Sequence, residues 1–159
     1  MSGQLAPVLD VDARLVFVGD GEDRGELTAH ARELGCADSI EFLGTRRDVP
    51  ALLSAMDVFA FPSYFEGLPG ALIEAMGAGL PIVATPVDGN GELLDSYRTG
   101  LFVPPADATE LSWALTRLLE SPALRDSLGE AAQERARAEF AVAEMVEQFD
   151  ALHQDLAGA

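Results

Sequence analysis

Glu66 and Glu74 stand eight positions apart within residues 61–85, FPSYFEGLPGALIEAMGAGLPIVAT. Glu66 falls in a loop, 62–69, just after the aromatic pair Tyr64 and Phe65, and Glu74 falls inside the helix that follows. Between them, Gly67 and Leu68 offer backbone N–H groups ahead of a helix start. Such a start attracts phosphate through its unsatisfied amides and the helix dipole. A carboxylate repels phosphate but accepts hydrogen bonds from sugar or ribose hydroxyls. Carboxylates flanking an anion-binding helix start therefore suit a ligand with both phosphates and hydroxyls, such as a nucleotide sugar. The competing reading is a surface loop and an ordinary amphipathic helix, since charged residues are mostly exposed. Against it, the Ala-Met-Gly-Ala-Gly after Glu74 is too small and apolar for a solvated face.

The other constellations are thinner. Gly19-Asp-Gly21-Glu-Asp-Arg-Gly25 approaches the dinucleotide fingerprint. Its third glycine, however, follows the second by four positions instead of three, and Leu43-Gly44 stands where an acidic residue should end the next strand. The segment serves as a tight strand-to-helix turn, or as a turn whose backbone faces a ligand. The broken fingerprint disfavours an NAD-type oxidoreductase. His30 and His153 sit in helical stretches as packing or surface residues, Ser63 has no evident base partner, and no carboxylate cluster has metal-ligand spacing. Glu66 and Glu74 as a glycosidase acid and nucleophile fit less well than a phosphorylated substrate bound at a helix start.

The elements that position these residues alternate. Apolar runs at 13–19, 39–43, 57–61, 81–84 and 100–103 are predicted as strands, the first of them buried and parallel. Helices are predicted from 22 or 23 to 34, over 49–55 with Asp48 as cap, and over 69–76 with Pro69 at the first helical position. Gly77 and Gly79 end that helix. Residues 88–91 are expected as a loop, with a short helix beginning at Glu92. Three more helices follow: one capped by Asp107 or Thr109 and running to 120, one started by Ser121-Pro122 and running to about 137, and one over 142–156. Strand–helix alternation implies an α/β, Rossmann-like parallel sheet with helices on both faces. In such sheets ligands bind beyond the carboxyl ends of the strands. The turns at 19–21, 44–47, 62–69 and 85–91 all follow strands and are expected to line one crevice.

Composition narrows the partners. The 159 residues, 48% hydrophobic, support one core and argue against disorder. The formal charge is −17 and all ten basic residues are arginine, which disfavours nucleic acid or an anionic membrane surface. Any phosphate site must then rely on backbone dipoles and a few arginines. The single cysteine, Cys36, permits no internal disulfide and is expected as a small buried side chain. With no long apolar run and no signal-like N-terminus, a cytoplasmic setting is expected.

On these residues the chain resembles the C-terminal, nucleotide-sugar-binding half of a GT-B glycosyltransferase of the retaining family 4 (group 1). The matching segments are RLVFVGDG (14–21), IEFLG (40–44), DVPALLSAMDVFAFPS (48–63), the stretch 66–85 and GLFVPP (100–105). The resemblance implies that Glu66 lies by the donor sugar and reaction centre, and that Glu74 holds the ribose hydroxyls. It implies that Gly67 and Leu68 present amides to the diphosphate, that Gly44, Thr45 and Arg46 border the base, and that Gly19 and Gly21 turn near the donor. Asn90 and Glu92 match a Gly-Asn-x-Glu element. The implied reaction is sugar transfer from a nucleotide-diphosphate donor to an acceptor hydroxyl, with retention and with no metal or other cofactor.

Relatives carry an N-terminal acceptor domain. They also carry an upstream strand and loop whose arginine and lysine grip the diphosphate. Only twelve residues precede Ala13 here and they hold neither. The chain is therefore expected to be a fragment: an extension (1–12), a partial donor-binding domain (13–140) and a C-terminal helix (141–159). Little activity is expected of it alone, and peripheral membrane contact is expected only through the missing half. The alternative is a non-catalytic nucleotide-binding or interaction module of the same fold.

Overall fold

The computed structural model describes residues 13–141 together with Val146, Asp150 and His153. These last three are helical; otherwise the extension at 1–12 and the helix expected over 142–156 lie outside the described residues. In chain order the elements are β1 (Leu15–Val18), α1 (Arg24–Glu33), a 3-10 turn (Ala37–Ser39), β2 (Ile40–Gly44), α2 (Val49–Leu53) and β3 (Phe59–Phe61). There follow α3 (Gly70–Gly77), β4 (Ile82–Ala84), α4 (Asp88–Leu93), β5 (Leu101–Phe102), α5 (Ala108–Glu120) and α6 (Pro122–Glu139). Every strand pair is parallel, as short apolar strands separated by helices require.

β4 is the centre. All three of its residues are 0% exposed, and they alternate between two cores as the pleat dictates. Ile82 and Ala84 pack with Leu72 and Met76 of α3 and with Ala132 and Ala136 of α6. Val83 packs on the other side with Leu101, Val103 and the α5 residues Ala114 and Leu118. The fold is thus α/β, with helices on both faces of parallel strands.

The strands form two sheets instead of the one anticipated, ordered β1-β2 and β3-β4-β5. Nor is β1 the buried strand expected of its apolar run: Leu15 and Val18 are 38% and 42% exposed. The reason is local. Neither core cluster contains a residue of β1 or β2; between these strands Phe17 stacks on Phe42 at 4.9 Å between ring centroids.

α3 forms because Leu72, Ala75 and Met76 fall on one helical face and are fully buried. It ends in a Schellman motif: Gly79 N–H donates to the Met76 carbonyl and Leu80 N–H to the Ala75 carbonyl, with Gly79 at φ +77°. Pro69 is the N-cap of α3 and not its first helical residue. Residues 88–91 are helical, although Gly-Asn-Gly is a poor helix former. Burial of Asn90, Leu93 and Leu94 outweighs weak propensity in α4. Asp107 caps α5 through the amides of Thr109 and Glu110, and Ser121 caps α6 through that of Leu124. Asp48 makes no side-chain cap to α2, because Arg46 occupies its carboxylate. No described helix is long and apolar enough to cross a membrane.

Candidate functional site

The loop between β3 and α3 is held from behind. The Ser63 hydroxyl donates to Oε1 of Glu66 at 2.7 Å, so the serine that lacked a sequence partner orients the glutamate. The Thr85 hydroxyl donates to the Ser63 carbonyl, and Nδ2 of the buried Asn90 donates to the Thr85 carbonyl at 3.0 Å. A chain of hydrogen bonds thus runs from α4, past the end of β4, to Glu66. Oδ1 of Asn90 is buried without a partner among the described residues. An orphaned acceptor of this kind costs about 1–3 kcal/mol, which the position bears while its Nδ2 holds Thr85.

Ahead of α3 the amides are open. No side chain caps the helix, and its first backbone bonds run from Leu72 and Ile73 to the Pro69 carbonyl. The amides of Gly67, Leu68, Gly70 and Ala71 therefore donate to nothing among the described residues. Gly67 and Leu68 are exposed and Glu66 is half-buried beside them. Undonated N–H groups at the positive end of a helix are a feature that suits an anion.

Glu74 is exposed one turn further along α3. It lines an open groove of about 320 Å³ between α2 and α3, with Pro50, Leu53, Ser54, Gly77 and Ala78. Glu66 does not line this groove, so the groove does not bring the two glutamates together.

Of the remaining candidates, Gly19, Gly44 and Thr45 gather around a residue that carried no weight in the sequence, Asp20. Its carboxylate accepts the Thr45 amide at 2.9 Å, the Thr45 hydroxyl at 3.0 Å and Nη1 of Arg24 at 2.9 Å. Gly19 N–H donates to the Gly44 carbonyl at 2.9 Å. Gly44 has φ +66°, and a side chain there would press on the Asp20 carboxylate. The first two turns are therefore locked together, with Gly19, Gly44 and Thr45 in contact and Gly21 exposed beside them. Arg46 is paired with Asp48 at 2.6 Å and so is not a free cation. Of the four turns expected to share one crevice, these contacts join 19–21 to 44–47 and 62–69 to 85–91.

The Thr45 amide, the Thr45 hydroxyl and Arg24, in that order, hold the Asp20 carboxyl below its ordinary value of 3.8. A lowered folded-state pKa stabilises the fold above the ordinary value, and that stabilisation fades as pH falls through the lowered one. Asp20→Ala is therefore expected to unfold at lower urea than wild type at neutral pH. The gap should close below pH 3.8. A gap that is unchanged in acid would show that the Asp20 charge is not its source.

The family model for glycosyl transferases group 1 matches residues 4–135. The chain belongs to this family. It is similar to N-acetyl-alpha-D-glucosaminyl L-malate synthase of Bacillus anthracis, with 30% identity over 149 residues, covering 94% of this chain and 39% of that protein. Among solved structures it is similar to sucrose-phosphate synthase from Thermosynechococcus elongatus, with TM-score 0.84 and 30% identity over 91% of this chain and 39% of that one. It is also similar to Anabaena Alr3699/HepE in complex with UDP-glucose, with TM-score 0.83 and 28% identity over 92% of this chain and 41% of that one. The chain spans about two fifths of the length of these relatives. Membership confirms the GT-B resemblance read from the Glu66–Glu74 stretch. Ser63, Thr85 and Asp20 received no site role from the sequence. Ser63 stands three positions before Glu66 and Thr85 directly follows a strand, which were the available signals; Asp20 acts through contacts 25 residues away in the chain.

Proposed function

We propose that the chain is the donor-binding half of a group 1 glycosyltransferase. The donor is a nucleotide-diphosphate sugar, and the sugar passes with retention to an acceptor hydroxyl. The observation that carries this reading is the set of undonated amides ahead of α3, flanked by a Ser63-oriented Glu66 and by Glu74 on the adjoining groove. HepE, similar over most of this chain, is described with UDP and with UDP-glucose, which supports the donor class.

On this reading, the Gly67, Leu68, Gly70 and Ala71 amides meet the diphosphate. They stabilise the charge that builds on it as the sugar departs, since fixed dipoles need no reorganisation at that moment. Glu66, held by Ser63, faces the donor sugar. Glu74 accepts hydrogen bonds from the ribose, and Gly44, Thr45 and Arg46 border the base with the Gly19–Gly21 turn nearby. No metal or other cofactor takes part. With the acceptor side supplied from outside these residues, the chain alone transfers little or no sugar.

A second reading, a nucleotide-binding module without catalysis, draws on the pairing of Arg46 with Asp48, which leaves that arginine no free charge for phosphate. Calorimetry with UDP, UDP-glucose and NAD tests both. UDP and UDP-glucose are expected to bind, and Glu74→Ala to weaken them about tenfold to a hundredfold, the loss of a hydrogen-bonded carboxylate. UDP-glucose turnover by the isolated chain with a simple acceptor would remove the second reading and would also overturn the expected inactivity of the chain alone. Absence of any nucleotide binding, or tightest binding to NAD, would sink the first.

A further inference from the structure

Gly89, the second residue of α4, is buried against the donor loop. A Cβ placed on it would lie 1.6 Å from the Gly67 carbonyl oxygen, 2.7 Å from the Gly67 carbonyl carbon and 3.2 Å from Cδ of Pro69. The backbone of Gly89 is helical, so the demand is for space and not for an unusual φ. The carbonyl it admits belongs to the same peptide plane as the Leu68 N–H. In a trans peptide the C=O and N–H of one plane point in opposite directions. A Gly67 carbonyl turned onto α4 therefore aims the Leu68 N–H away from α4, on the open side of the loop.

We infer that Gly89 is a positioning residue: by accepting the Gly67 carbonyl against its bare Cα, it sets the direction of the Leu68 N–H toward the donor diphosphate. The inference rests on the reading of the loop as a diphosphate site given above. Asn90 reinforces it from the next position, through Thr85 and Ser63, so the same short helix bears on both the Glu66 carboxylate and the 67–68 peptide. A side chain at 89 must rotate the 67–68 peptide or push the loop off α4. Either change misdirects a donor without touching the ligand.

Gly91 supplies the control. It lies in the same helix, and a Cβ there would meet nothing within 4 Å. The experiment compares wild type, Gly89→Ala and Gly91→Ala by UDP calorimetry and by thermal unfolding. Gly89→Ala is expected to bind UDP about tenfold or more weakly, the loss of one charge-assisted hydrogen bond. Gly91→Ala is expected to bind as wild type does. Equal UDP affinity in folded Gly89→Ala and wild type overturns the inference and leaves the donor-site reading standing. A wild-type chain that binds no UDP defeats the donor-site reading and this inference together. Amide NMR of the wild type keeps the inference falsifiable even if Gly89→Ala fails to fold. Saturating UDP is expected to shift the Leu68 N–H downfield more than any other amide of the loop, and an unmoved Leu68 amide overturns the assignment.

Discussion

Gly129→Ala is expected to destabilise the fold by about 1–3 kcal/mol, the cost of overpacking a closed contact. Helix propensity alone gives the opposite sign. In an open helix, replacing glycine by alanine gains about 1 kcal/mol. Gly129 lies inside α6, but a Cβ there would sit 2.2 Å from the Gly79 carbonyl oxygen and 3.1 Å from its carbon. The Gly79 turn cannot retreat, because its amides close the Schellman motif of α3 and Leu80 is buried. The helix α6 must therefore move instead. That strains the bond from Gln133 Nε2 to the Gly77 carbonyl and the packing of Ala132 and Ala136 on α3. Urea unfolding measures the shift, with Gly77→Ala as its counterpart, since a Cβ at Gly77 meets nothing within 4 Å. A Gly129→Ala protein more stable than wild type would show that the α3–α6 contact is looser than this geometry.

Leu72→Ala is expected to cost about 3–5 kcal/mol, the range for removing a fully buried leucine and leaving a cavity. Leu72 is 0% exposed on α3, in the cluster with Met76, Ile82 and Leu93. Set against a typical total stability of about 5–15 kcal/mol, the loss is large. The same helix carries the open amides at one end and Glu74 further along, so weakened seating of α3 should also lower UDP affinity. Leu68 makes the comparison sharp: four positions away, it is 67% exposed. Leu68→Ala is expected within about 0.5 kcal/mol of wild type, as surface changes usually are. Similar losses in both variants, read from urea midpoints at unchanged slope, would contradict the burial of α3.

Much of this is legible in the chain itself. The Glu66–Glu74 spacing with its small-residue tail pointed to the family. Strand–helix alternation gave the parallel α/β class, and the Asp107 and Ser121 caps lay where short polar residues precede apolar periodicity. These signals are local: periodicity, turn chemistry and caps act within a few residues. The misreadings share a cause as well. Residues 88–91 looked like a loop because propensity is blind to the burial of Leu93 and Asn90. Asp48 looked like a cap because nothing in the sequence says that Arg46 takes its carboxylate first. β1 looked buried because an apolar run does not state what covers it.

By itself the sequence determined which residues are the candidates for the chemistry: the two glutamates, the glycine and leucine between them, and the helix start they flank. Only the tertiary structure decided how they are held. Ser63 reaches Glu66 because Thr85, from the end of β4, pins its carbonyl, and the Gly67 carbonyl turns as it does because Gly89 leaves room for it. Those partners lie some twenty residues away in the chain. Residue type fixes what a group can donate or accept, whereas its direction follows from close packing between segments that meet only when the chain is folded.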